Sequence, residues 1–401
     1  MNNNIANLYE TTGRMRDEIS MRPGELTDEE ALSMIESSVF KNENFTFYSR
    51  AEKSELISRV FYALRKDLDV LQPYADDDEV SEIMVNGKDD IFIERRGKIE
   101  KAVTCFDKTE DLEEVIRRIC AKVHREINEL NPIVDARLAD GSRVSAVYKN
   151  VAINGPILTI RKFPKKEITM DMLIRNGSLT DEAAVFLEKL TIAGYNIFVS
   201  GGTSSGKTTF LNVLSNYIPK DERVIVIEDS AELQIREIKN IVRMECRNAN
   251  VQGKGKVDMK QLIKTSLRMR PDRIIVGEVR GEEVLDMIQA MNTGHDGSLS
   301  TGHGNSIEGM LRRLESMFLQ AASFPIEAIR AQIAEGIDLI VHMGRLSNKS
   351  RKVLEIAEIK GFDGSKILVN TLFKFNIDTG LVRSRNELQN REKLELRGIA
   401  L

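Results

Sequence analysis

Residues whose types and spacing could do chemistry gather in three short stretches. The first reads NIFVSGGTSSGKTTFLNVL, in which Gly201-x-x-x-x-Gly206-Lys207-Thr208 has the spacing of a phosphate-cradling loop between an apolar strand and an amphipathic helix. Glycine lets the backbone turn tightly, so successive N–H groups and the positive end of the helix aim at phosphate oxygens. The expected phosphate-binding residues are Gly201, Gly202, Thr203, Ser204, Ser205, Gly206, Lys207, Thr208 and Thr209. Lys207 is expected to reach the β- and γ-phosphates, and Thr208 to offer its hydroxyl to Mg²⁺, which keeps most of its waters and needs few protein ligands. The bland alternative is a Gly-rich turn that binds nothing, and the flanking strand and helix argue against it.

The second stretch is a pair of apolar runs ending in acids. RVIVIEDSAEL ends in Glu228 and Asp229, and DRIIVGEVRG carries Glu278 behind Gly277 and ahead of Arg280. Ligands of a parallel sheet sit at the carboxyl ends of its strands. Carboxylates there could orient a water nucleophile or hold Mg²⁺ directly or through its waters, with Glu278 the expected metal contact beside Thr208. Either acid could instead only cap a neighbouring helix. The third stretch, NTGHDGSLSTGHGNS, repeats Thr-Gly-His around His295 and His303. Two imidazoles without a third Cys or His make a poor zinc set. The remaining readings are plain turn histidines or groups that sense a bound phosphate, with His303 the stronger candidate and His295 the weaker; both are expected beside the γ-phosphate edge of the sheet.

Elements that would position these groups are legible from residue 164 onward, where short apolar strands alternate with amphipathic helices, the mark of a parallel sheet covered on both faces. Strands are expected at Ile197–Ser200, Val224–Glu228, Ile274–Glu278, Ser298–Thr301 and Ile337–Met343, with a terminal hairpin around Phe362-Asp363-Gly364. A helix is expected over SIEGMLRRLESMF, opened by an Asn305/Glu308 capping box and buried through Ile307, Met310, Leu311, Leu314, Met317 and Phe318. Upstream, residues 76–163 alternate strand-like pieces (SEIMVNGKDD, IFIERRGKIEKAV, RVSAVY, ILTIRKF) with one helix, DLEEVIRRICAKVHREI. Residues 1–75 read as a polar leader and a helical module, whose helix through Leu56, Val60, Leu64, Leu68 and Leu71 closes at Pro73. The expected division is thus 1–75, 76–163, a linker at 164–172, and 173–401.

Composition narrows the class. With 401 residues, 41% hydrophobic and 30% charged, two or three globular domains are expected. A formal net charge of −4 gives no electrostatic case for direct nucleic-acid binding. Spanning a bilayer takes about 20 consecutive apolar residues, and the runs here are far shorter. No apolar h-region follows the N-terminus, so secretion is not expected. Cys105, Cys120 and Cys246 lack metal-ligand spacing and are expected as packing residues in a reducing compartment.

SGGTSSGKTT, VIVIEDSAELQI, RIIVGEVRGEEVLDMIQAMNTGHDGSLSTGHGNS and the upstream GSRVSAVY…LTIRKF stand in an order that resembles the secretion ATPase family of type II and type IV secretion systems and type IV pili. The likeness is nearest to its CpaF/TadA-like branch, which serves Flp (Tad) pili. The resemblance implies an α/β architecture: a RecA-like P-loop NTPase domain preceded by a small α+β domain and an N-terminal helical module. It implies ATP and Mg²⁺ as ligands, a homohexamer, and integral inner-membrane platform proteins as partners at the cytoplasmic face of the membrane. By the same carry-over Glu278 is the Walker B acid, Glu228 the Asp-box acid, and His295 and His303 the His box. Arg143 and Arg161, and more weakly Arg280, become arginines turned toward the phosphates, where such groups can be worth about 10³-fold in rate. Ser204 stands where many members have glycine. A conjugative or protein-secretion ATPase shares these motifs; a nucleic-acid-dependent RecA-like translocase and a non-catalytic nucleotide-binding scaffold are the alternatives from other classes.

Overall fold

Alternation in the first half of the chain does build a sheet, one strand larger than the pattern shows. The computed structural model describes residues 11–13, 15, 26–163, 167–247 and 254–401. The chain divides into two compact units, residues 1–165 and 166–401.

In the first unit, β1 (Val80–Asn86), β2 (Ile91–Arg95), β3 (Lys98–Lys101), β4 (Ile133–Arg137), β5 (Arg143–Val147) and β6 (Ile157–Arg161) form an antiparallel sheet in the order β3-β2-β1-β6-β5-β4. The expected Arg96-Gly97 turn has positive φ at both residues, the backbone a two-residue hairpin demands. β4 escaped the sequence reading because IVDAR at a sheet edge buries only Val134. Val85, Ala146, Leu158 and Ile160 pack on helix Thr109–Lys122 through Leu112, Val115, Ile116 and Ile119.

The helical module has a core of its own from Ile35, Val39, Phe45, Leu56, Ile57 and Val60, carried by helices Asp28–Lys41 and Arg50–Arg65. Thr27 with Glu30, and Ser49 with Glu52, form reciprocal capping boxes at their starts, each side chain satisfying an amide that a helix leaves unpaired. The expected continuous helix to Pro73 is corrected: it stops at Arg65, and Asp69 adopts φ 49. Pro73 opens the next short helix, Gln72–Asp76, because a proline in the first turn gives up no hydrogen bond. Leu68, Val70 and Leu71 already belong to the sheet's core.

The second unit is a nine-stranded mixed sheet in the order β15-β14-β13-β12-β7-β11-β10-β8-β9. Its parallel part runs through β12 (Leu339–Arg345), β7 (Ile197–Gly201), β11 (Leu299–His303), β10 (Arg273–Val276), β8 (Val224–Glu228) and β9 (Ile241–Glu245). The antiparallel edge is β13 (Arg351–Phe362), β14 (Ile367–Asn376) and β15 (Gly380–Arg383). Strands β7, β8 and β10 are buried along their whole length, which is why they read as unbroken apolar runs. Helices Asp181–Ala193 and Lys207–Ser215 pack on one face, where Ile197 and Val199 point. Helices Met259–Ser266, Glu283–Met291, Ile307–Ala321 and Ile326–Gly336 pack on the other, where Phe198 points.

The apolar stripe expected on helix Ile307–Ala321 is buried at all six positions. Its cap, however, is Ser306, not Asn305: the Ser306 side chain accepts from the Gly309 amide, and a Cβ at residue 309 would come within 3.1 Å of that hydroxyl. The expected linker falls partly on residues 164–166, outside the described residues. By Met170 the chain is buried in the second unit's core. Among the described residues no helix is long and apolar enough to cross a membrane.

Candidate functional site

The phosphate loop rises from β7 between β11 and β12 and leads into helix Lys207–Ser215. Its glycines are there for space and torsion. A Cβ at Gly201 would lie 2.5 Å from the Met343 carbonyl oxygen of β12, and Gly206 has φ 94. Ser204 holds φ 57, a left-handed backbone that costs a non-glycine residue about 1–2 kcal/mol. That torsion explains why glycine suits the position; around the serine that stands there, Arg351 Nε donates to the Ser204 carbonyl at 3.1 Å and Ser205 Oγ donates to Gly202 O at 2.9 Å. No side chain caps the helix at Gly206, so its first amide donors face the loop.

A chain of charged and polar groups leaves the loop. Lys207 Nζ donates to Gly202 O at 3.0 Å and lies 3.2 Å from His303 Nδ1. An ammonium only donates, so Nδ1 accepts and the imidazole proton sits on Nε2. That nitrogen is 2.7 Å from Glu278 Oε1. Glu278 Oε2 takes a 2.9 Å bond from Arg280, whose other nitrogen pairs with Asp229 at 3.3 Å. Burial pulls the pKa of His303 down, Glu278 pushing it up and Lys207 and Arg280 adding to the fall; the ring is therefore neutral near pH 7. Burial also lowers Lys207, offset in part by Glu278.

Glu278 stands two residues beyond the end of β10, shorter than expected, because Gly277 turns the chain there; a Cβ at Gly277 would come 3.0 Å from Glu228 Cγ. Glu228 is 3% exposed and accepts the amides of Glu232 and Leu233 at 2.8 and 3.0 Å. Burial raises its pKa, against the lowering by those two amides. The carboxylate thus has a structural task, closing the turn after β8, and it stands against Gly277, the residue before Glu278.

His295 is placed differently from the expectation. β11 runs parallel to β7 with His303 in register with Gly201, whereas His295 precedes the strand and lies at the opposite, amino edge of the sheet. Its Nδ1 is 3.1 Å from Ala290 O. The polar group that does stand near the loop is His342 of β12, which pairs in the ladder with Ser200 and lies 3.3 Å from its hydroxyl. The signal was present in the sequence as one histidine inside the apolar run DLIVHMG. Arg143 and Arg161 belong to the first unit, directly opposite each other on β5 and β6. Arg137 is the next residue in the same row on β4, a third guanidinium that the sequence reading missed because β4 was missed.

Among the described residues, no group of three or more His, Cys, Asp or Glu is placed to hold a metal ion. Mg²⁺ does not need one, since it is bound through one or two protein oxygens, its waters and substrate phosphates. Thr208 in the first turn of the helix and Glu278, whose buried Oε1 accepts no aligned hydrogen bond, fit that role.

The family description "Type II/IV secretion system protein" matches residues 65–381. The chain belongs to that family. Among its relatives, the conjugal transfer protein TrbB of Rhizobium radiobacter is 34% identical over 290 residues, covering 72% of this chain and 86% of that one. An uncharacterized protein of Methanocaldococcus jannaschii is 42% identical over 253 residues, 61% of this chain but only 35% of that longer protein. The ATPase DotB of Legionella pneumophila shares the fold, with a TM-score of 0.53 at 20% identity over 71% of this chain and 78% of its own. The second unit is a RecA-like P-loop domain, and the first supplies the α+β domain and helices that precede it.

Proposed function

We propose that this chain is an ATPase motor that hydrolyses Mg-ATP to drive a membrane-embedded secretion or pilus machine of the Flp/Tad type. The observation that carries it is the line of contacts Lys207–His303–Glu278–Arg280, rooted in the phosphate loop and built from three different strand ends. Lys207, held by only a carbonyl and an imidazole, is the group a phosphate draws away from both. Thr208 and Glu278 are the residues that would hold Mg²⁺, which when bound would supply neutralisation of phosphate charge. Glu278 and Glu228, at the ends of the neighbouring strands β10 and β8, orient the attacking water, and the raised pKa of Glu228 suits a group that takes up a proton. When Lys207 turns to phosphate, His303 loses its donor and keeps only its contact with Glu278, so nucleotide state is passed along the chain. Loss of the γ-phosphate on hydrolysis releases the contacts made to it and lets the protein move. A homohexamer docked on integral partners at the cytoplasmic face of the membrane converts the movement into work.

A conjugative motor is the second reading, favoured by the likeness to TrbB. Gene deletion complemented with the wild-type chain or Lys207→Ala tests both, scored by imaging surface filaments and by counting plasmid transfer. Filaments restored by the wild type alone support the pilus reading. Unchanged filaments with lost transfer replace it by the conjugative one.

A further inference from the structure

The antiparallel hairpin β12–β13 touches the phosphate loop at three points. The Met343 carbonyl lies against Gly201, Arg351 Cδ lies 3.3 Å from where a Gly206 Cβ would be, and Arg351 Nε donates to the Ser204 carbonyl at 3.1 Å. Ser204 is the one residue of the loop that takes a left-handed backbone without being glycine. A backbone torsion that its own residue type disfavours must be held by neighbours, and the bond to its carbonyl from Arg351 is the contact that orients this peptide.

We infer that Arg351 is a positioning residue for nucleotide: it pins the Ser204 peptide in its left-handed form, so that the amides of the loop converge on phosphate before the ligand arrives. The inference rests on reading this loop as the nucleotide site. The guanidinium acts through Ser204 and does not itself touch the reacting atoms. Losing it lets the Ser204 peptide relax to an ordinary conformation, and binding must then restore the loop. Apparent affinity falls while the chemical step, once the loop is formed, stays near its original rate. A glycine at this position takes the left-handed form without strain, so it has less need of the pin.

This predicts a specific coupling. Full-length wild type, Arg351→Met, Ser204→Gly and the double variant are compared for ATP KM, kcat and thermal unfolding, with Lys207→Ala as the non-binding control. Methionine keeps the aliphatic stem against Gly206 and removes only the donor. Arg351→Met raises KM about tenfold with kcat within about threefold, the size expected for a lost charged hydrogen bond at an exposed site. In the Ser204→Gly background the same change raises KM by about twofold or less. An equal rise in both backgrounds overturns the inference, as does a KM that Arg351→Met leaves unchanged. If Arg351→Met unfolds, Arg351→Lys is measured instead in both backgrounds: its shorter, single-headed cation cannot reproduce the Nε bond to Ser204, so KM must rise more in the serine background than in the glycine one, and an equal or absent rise overturns the inference. A wild type indistinguishable from Lys207→Ala in ATP binding overturns the nucleotide reading, and this inference with it.

Discussion

The two edges of the nine-stranded sheet are built from the same residue types and treat them in opposite ways. At the carboxyl edge Lys207, His303, Glu278 and Arg280 form an open chain whose first member is held only by a carbonyl and a ring nitrogen. At the amino edge the ionic groups are closed on themselves. Lys393 bonds both Asp296 and Asp338 at 2.6 and 2.7 Å, and Asp338 also accepts the Asn196 amide. Arg273, fully buried, is held by Glu222 and by the Thr191 and Ile192 carbonyls. Closed networks fix a fold, because each charge has its partners within the protein. Open ones stand ready to exchange a partner for a ligand. The two histidines of the Thr-Gly-His repeats fall one on each side of this division.

The comparison breaks most readily at those histidines. His303→Ala is expected to lower kcat by about 10²-fold while ATP binding changes little, and His295→Ala to leave kcat within about twofold, both measured by phosphate release and nucleotide titration. Equal losses in the two variants would erase the distinction between the edges. Next in size, Lys393→Met leaves Asp338 without its cation and should cost about 2 kcal/mol of stability, read as a lower denaturant midpoint, with kcat in the cold unaffected. A fall in kcat without loss of stability would move this network into the working half. The smallest effect is a pH dependence. Glu228 has a raised pKa in the fold, so its contribution to stability is full below the ordinary carboxylate range and is lost as pH rises through the raised value. Glu228→Gln should therefore gain thermal stability relative to wild type as pH rises above the ordinary carboxylate range, and a difference that stays flat with pH would place the carboxylate in water.

What the sequence disclosed follows the same division. The phosphate loop, both acidic strand ends and the buried stripe of helix Ile307–Ala321 were readable because each depends on local spacing: a tight turn, a run of apolar residues, a helical period. His295 was misplaced because a repeated tripeptide says nothing about which end of a parallel strand it occupies; the ladder of β11 on β7 decides that. β9 and β15 were missed as edge strands, half-exposed and so without the apolar run that marks the centre. The contacts of Arg351 and His342 were invisible for another reason, although His342 itself stood out inside an apolar run. Arg351 meets Ser204 147 positions away and His342 meets Ser200 142 positions away, and no local pattern carries such a contact.

One strand has a neighbour on each side of this argument. Immediately after Arg351, Lys352 Nζ bonds the Asn176 and Gly177 carbonyls and the Val353 amide bonds Ser178 O. Three successive residues of β13 thereby grip both the phosphate loop and the stretch where the chain enters the second unit. Adjacent residues of one strand thus tie the Asn176–Ser178 turn and the Ser204 carbonyl together, so the loop and that turn share a single backbone support.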